Sequence, residues 1–128
     1  MYSFEETIYK DNPILILLKD RNPVFGGLGF GTKKAKMIIN TMAQIEIFFN
    51  SKGVNPSKDS KININHGKYN LPCYCIKHIN FRINKFIIEK SFLKIHSNDA
   101  SIGFGLVKAE GLIILKDEIE DFIRRNDK

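Results

Sequence analysis

The sequence predicts an α+β fold: two strand-rich repeats of antiparallel β-sheet, each followed by one helix, joined as a pseudo-two-fold single domain. Three observations predict it. Residues 29–49 and 103–123 align at an offset of 74 with nine of 21 positions identical, where unrelated segments would share roughly one or two. Short alternating or β-branched runs, punctuated by Asn, Asp, Pro and Gly, precede each of these segments. Each segment closes on apolar residues three and four apart, which is the helical period. The identical pairs include Gly29/Gly103, Phe30/Phe104, Gly31/Gly105, Lys34/Lys108, Ala35/Ala109 and Phe48/Phe122. Convergent apolar patterning explains matched isoleucines, but explains a repeated Gly-Phe-Gly and Lys-Ala in register far less well.

The elements follow in order. Phe4 to Tyr9 reads as a strand, Asp11-Asn12-Pro13 as a turn, and Ile14 to Lys19 as a β-branched strand. Arg21-Asn22-Pro23 turns the chain again. Val24 to Gly31 holds four glycines in eight residues, too many for a helix, so it reads as extended chain with a bend. Lys33 to Asn40 alternates, with Ala35, Met37 and Ile39 on one face, and is predicted as a strand. A helix follows, capped by Asn40 or Thr41, with Met42, Ile45, Phe48 and Phe49 as its stripe. Gly53 and Pro56 end it.

The polar stretch 53–69 reads as a linker, so the repeats span about 4–52 and 70–126. Lys61 to Asn65 alternates, and His66-Gly67-Lys68 turns. Leu71 to Ile79, Phe81 to Glu89, Ser91 to His96 and Ile102 to Leu106 are strand candidates. Ala109 to Leu115 repeats the predicted strand before the helix, and 116–125 repeats the helix itself. Its stripe is Ile119, Phe122 and Ile123; Asp117 and Glu118 lie early and Arg124 and Arg125 late, as the helix dipole favours. Upstream, Leu17-Leu18-Lys19 is matched to Phe92-Leu93-Lys94 with one inserted residue. A repeat of roughly 50 residues buries little core alone, and two together form one domain.

Composition narrows the function. A net charge of +6 and a pI near 9.3 favour a polyanion or anionic surface as partner, although such a balance also serves solubility alone. The N-terminus lacks a signal-peptide core, and the longest aliphatic run, Ile14 to Leu18, is too short to span a bilayer, so a cytoplasmic protein is expected. No nucleophile elbow and no Walker spacing occurs, so no enzyme is expected and no cofactor is implied.

The leading site candidates are basic and aromatic. Phe30 with Lys33, Lys34 and Lys36 combines a stacking ring with phosphate-neutralising amines, the mixture that single-strand binding needs. Phe104 and Lys108 are the second copy's equivalents. Arg82, Lys85, Lys90 and Lys94, interleaved with Phe81, Phe86 and Phe92, form a second basic-aromatic region. The bland alternatives are core phenylalanines and solvated lysines. His66, Cys73, Cys75 and His78 supply four zinc-type donors within 13 residues, but without paired Cys-x-x-Cys or His-x3-His spacing. Buried thiols on one strand face are the simpler account.

Phe92-Leu93-Lys94-Ile95, then a loop, an Ile-rich strand and a short helix with an acidic start ending Glu120-Asp121-Phe122-Ile123, preceded by Phe81-Arg82-Ile83-Asn84, resembles a PUR repeat. It is similar also to the related fold of the PC4 coactivators and Whirly proteins. The resemblance implies strands-then-helix units paired into an intertwined module. It also implies binding of single-stranded DNA or RNA across the sheets through basic and aromatic side chains, and a homodimer. The alternative expectation is a protein-interaction or assembly module that uses strand edges and apolar patches.

Overall fold

The computed structural model describes residues 1–65, 67–83 and 87–127, with backbone alone at 80–83 and 87–89. The fold is α+β, with two antiparallel four-stranded sheets and helices following each. Strands β1 (Tyr2–Tyr9), β2 (Asn12–Lys19), β3 (Asn22–Pro23) and β4 (Gly29–Phe30) make the first sheet, in which β1, β3 and β4 all pair with β2. Helices α1 (Thr32–Asn40) and α2 (Met42–Asn50) follow. Strands β5 (Lys61–Ile64), β6 (Cys73–Ile83), β7 (Ile87–His96) and β8 (Ser101–Phe104) make the second sheet in that order. Helices α3 (Leu106–Ile114) and α4 (Lys116–Asn126) complete the described chain.

Local chemistry sets the hairpins. Lys10 and Asp11 have φ of 48° and 65°, and Asp20 and Arg21 have 52° and 69°. Two consecutive left-handed residues make a turn whose twist matches the flanking strands. Asn12 and Asn22 brace these turns by donating from Nδ2 to the carbonyls of Lys10 and Asp20.

The residues read as strands after each Gly-Phe-Gly are helices, so each repeat carries two helices rather than one. Ala35, Ile38, Ile39 and Met42 are buried and spaced three, four and seven apart, as one helix face requires. In a short apolar run, alternation and helical period coexist, and the burial of Ile38 beside Ile39 decides for the helix. Ala109 and Leu112 repeat the pattern in α3. Gly31 and Gly105 enter these helices with nearly equal dihedrals, φ −90° and ψ −167° against φ −93° and ψ −165°. The α1–α2 joint falls at Thr41 and the α3–α4 joint at Leu115, again 74 positions apart. Thr41 Oγ1 donates to the Met37 carbonyl at 2.8 Å, holding its joint inside the core.

The offset of 74 stops upstream of the Gly-Phe-Gly strands. Leu15 opposes Phe30 in the first sheet and Leu93 opposes Phe104 in the second. Leu15 is therefore equivalent to Leu93, and Leu17 to Ile95, an offset of 78. This corrects the match of Leu17-Leu18-Lys19 to Phe92-Leu93-Lys94. The first repeat has a longer connection, from Ile16 to Gly29, which contains β3 and the Gly26-Gly27 loop. The second returns directly from Lys94 to Gly103. Within 53–69, β5 is no linker, because it pairs with β6 and forms the edge of the second sheet.

The halves interlock. Helix α3 packs on β1 and β2 of the first sheet, α1 packs on β7 of the second, and the helices meet as α1 with α4 and α2 with α3. The Tyr2 hydroxyl donates to the Val107 carbonyl at 2.9 Å, tying β1 to α3. Gly111 permits the close approach: a Cβ there would lie 2.8 Å from Tyr2 Cδ1 and 3.0 Å from both Leu17 methyls. The shared core includes Leu17, Met37, Ile38, Ile45, Phe48, Leu93, Ile95, Phe104, Leu112 and Phe122. Among the described residues no helix is long and apolar enough to cross a membrane.

Candidate nucleic-acid interface

Alternation along β6 and β7 decides which side chains meet solvent. Cys73, Cys75 and Lys77 on β6, with Leu93 and Ile95 on β7, turn inward. Tyr74, Ile76, His78, Phe92, Lys94 and His96 therefore occupy the outer face. The register places Tyr74 opposite His96, Ile76 opposite Lys94, and His78 opposite Phe92. From β5, Lys61 faces Ile76 on the same side. Ser101 and Gly103 of β8 leave the far edge low.

This outer face carries a preformed stack. The Tyr74 and His96 rings lie 4.9 Å apart and 18° from parallel, and Lys61 Nζ sits 4.3 Å above the Tyr74 ring. Burial, then the charge of Lys94, then His78, hold the His96 imidazole below its usual pKa. A flat ring pair with amines around it suits base stacking with phosphate neutralisation.

Phe92 continues this face into a 520 Å³ groove lined by Val24, Phe25, Lys52, Lys90, Leu106 and Lys108. Among the described residues no carboxylate lines it. Two depressions beside Lys68 and Tyr69 are larger, at 610 and 570 Å³, but Asp117, Glu120, Asp121 and Asp127 line them. The first is net acidic and repels a polyanion, whereas the second also holds Lys33, Lys36 and Lys68, of which Lys33 is paired with Asp99 and Lys36 with Asp127.

The residues predicted for the site divide sharply. Phe30 is 2% exposed and Phe104 1%, so neither can stack on a base. Phe30 instead meets Phe4 edge-to-face at 5.7 Å, and both phenylalanines point inward because alternation along β4 and β8 directs them to the core. Lys33 is paired with Asp99. Lys36 is paired with Asp127 at 2.7 Å and lies over the Tyr69 ring. Lys34 is half-buried on α1, away from the second sheet's outer face. Lys94 lies on that face and Lys108 in the groove, so these two are brought together with Lys90 and Phe92. The Arg82 side chain and Lys85 lie outside the described residues.

The four zinc-type donors do not converge. Cys73 and Cys75 face the core while His78 lies on the opposite side of the same strand, and His66 lies outside the described residues. Burial pushes the Cys75 thiol up to about 12, with Cys73 adding to it, so it stays a thiol.

Lys61, Tyr74, His96, Lys52 and Phe25 escaped the sequence reading. Alternation at 73–79 contained Tyr74, once Cys73 and Cys75 are taken as the inward set. Phe25 had its own signal, an aromatic directly before Gly26-Gly27 in a loop without counterpart in the second repeat. No family model, curated protein or solved structure matches the chain.

Proposed function

We propose that the protein binds single-stranded DNA or RNA, without catalysing a reaction, on the outer face of its second sheet. The observation that carries this reading is the Tyr74–His96 stack flanked by Lys61 and Lys94 on one open sheet surface. Bases stack on the rings and amines neutralise phosphates, with little direct readout of sequence. The chain's excess of six positive charges and the resemblance to PUR repeats support the same reading.

Fluorescence anisotropy with a labelled single strand of about 12 nucleotides tests it across a salt series. Binding is expected at low salt and weakens on a log–log slope of about −0.7 for each phosphate contact. Tyr74→Ala combined with Lys94→Ala is expected to weaken it more than tenfold, since a stacked base contributes about 1–3 kcal/mol. Absence of binding at low salt sinks the proposal.

One observation favours an assembly role instead. Ile14, Ile16 and Leu18 form a half-buried apolar stripe on the outer face of the first sheet. Concentration-dependent self-association without any oligonucleotide binding would select that reading.

A further inference from the structure

The groove beside Phe25 has the features of a second binding element, and its occupant follows from the proposed single-strand binding on which this inference rests. The loop that presents Phe25 is anchored at both ends. Val24 and Leu28 are buried, the Val24 amide donates to the Leu17 carbonyl at 3.3 Å, and the Leu17 amide donates to the Leu28 carbonyl at 2.9 Å. Between these anchors Phe25 is 94% exposed, so its ring adds nothing to the core. Gly26 and Gly27 follow with φ of 81° and 72°, a conformation that favours glycine. A Cβ at Gly26 would lie 3.3 Å from Lys108 Nζ, so the amine sits directly beside the loop tip.

The groove is lined by apolar Val24, Phe92, Leu106 and Val107 and by basic Lys52, Lys90 and Lys108. None of these three lysines pairs with a carboxylate among the described side chains. Apolar walls with convergent cations select a flat apolar group bearing negative charge on its edge. Phe92 and Lys90 also connect the groove to the outer face of the second sheet, where Phe92 neighbours His78 and Lys94. A strand crossing that face reaches the groove without leaving basic surface.

We propose that this groove holds one unstacked nucleotide of the bound strand, its base against Phe25 and its flanking phosphates on Lys52, Lys90 and Lys108. The two halves differ at this place among the described residues. The second repeat lacks the longer loop, and at the position equivalent to Val107 the first repeat has Lys33, which is paired with Asp99. The strand is thereby held at one end, and the module binds it with a single polarity.

The test compares Phe25→Ala and Lys108→Ala with the unaltered protein by anisotropy over a salt series, with Tyr74→Ala as reference. Phe25→Ala is expected to weaken binding about 5- to 150-fold, the range for one stacked base, with the salt slope unchanged. Lys108→Ala is expected to reduce the slope by about 0.7, the loss of one phosphate contact. A strand carrying one photoreactive thio-base is expected to cross-link to Phe25 or Phe92. If both groove variants bind like the unaltered protein while Tyr74→Ala weakens binding, the groove assignment is overturned and the sheet-face reading survives. If the unaltered protein binds no single strand at low salt, both are overturned. Phe25 is exposed, so loss of binding in its variant does not reflect unfolding.

Discussion

The Lys77 ammonium donates to the Gly53 carbonyl at 2.9 Å and to the Val54 carbonyl at 2.6 Å, joining the inner face of the second sheet to the end of the first repeat's helices. Register places Glu6 of β1 at the position equivalent to Lys77, opposite Leu15 as Lys77 is opposite Leu93. Glu6 accepts from Arg125 and Asn126 at the end of α4. Each sheet thus latches the helices of the other repeat through one charged residue, with the sign reversed between the copies. The Glu6 latch is exposed and salt-screened, whereas Lys77 is 4% exposed.

Lys77→Ala is therefore expected to destabilise far more than Glu6→Ala. Removing the ammonium leaves the buried Gly53 carbonyl and the part-buried Val54 carbonyl without their charged donor, which costs about 1–3 kcal/mol. The exposed pair is worth about 1 kcal/mol or less. Urea unfolding of the two variants measures the difference.

Gly111→Ala is expected to destabilise by about 1–3 kcal/mol despite Ala being the better helix former. The new methyl meets the Tyr2 ring and the Leu17 side chain, both fixed in the core. Adding Leu17→Ala should then cost less than it does in the Gly111 background, and a double-mutant cycle reads that coupling.

Phe30→Ala and Phe104→Ala are expected to cost about 3–5 kcal/mol each as core truncations. At a temperature where the variants remain folded, their affinity for a single strand should match the unaltered protein. A selective loss of affinity would return these rings to the binding site.

His96 links pH to both stability and binding. Its pKa is depressed in the folded protein, chiefly by burial and then by Lys94 and His78, so its contribution to stability is present above the unfolded value near 6.5 and is lost as pH falls through the lower folded value. Lys94 and His78 beside the stack both disfavour the imidazolium. A bound phosphate favours it, so binding takes up a proton. From pH 7.5 towards pH 5.5, Tm is expected to fall while oligonucleotide affinity rises, and His96→Gln should flatten both. A pH-independent affinity at constant salt would remove His96 from the site. Below that window, Asp20, Asp99 and Asp121, all depressed by hydrogen bonds to cations, lose their stabilising ionised form.

Lys33→Ala is expected to leave stability nearly unchanged and the salt slope of binding unaltered, because the lysine is paired with Asp99 at the surface. A reduced slope, measured by anisotropy, would show that it contacts phosphate.

Much of the architecture was legible from the residues. Repeated Gly-Phe-Gly and Lys-Ala marked the duplicated unit, and its offset of 74 holds through the helix entries at Gly31 and Gly105 and the joints at Thr41 and Leu115. Turn residues placed the first sheet's hairpins to within a residue or two, whereas the stretch read as one strand from Phe81 to Glu89 is divided between β6 and β7, which pair back on each other. The short runs after Gly31 and Gly105 read as strands, because a few apolar residues within nine positions satisfy both the strand and the helix period until something packs against them. The site was misread for a related reason. Phe30 reads as a stacking ring and Phe25 only as part of the extended stretch from Val24 to Gly31, and their opposite burial is what separates them.

The sequence by itself determined the α+β class, the twofold repetition and the basic, Phe-rich character, since these depend on composition and on spacing along one chain. The tertiary structure alone decided that α3 covers the first sheet and α1 the second, which lysines are spent on Asp99 and Asp127, and which rings reach solvent. Those outcomes depend on pairings between residues far apart in sequence. Gly111 against Tyr2, and Lys77 beneath Gly53, exist only once the two repeats interlock.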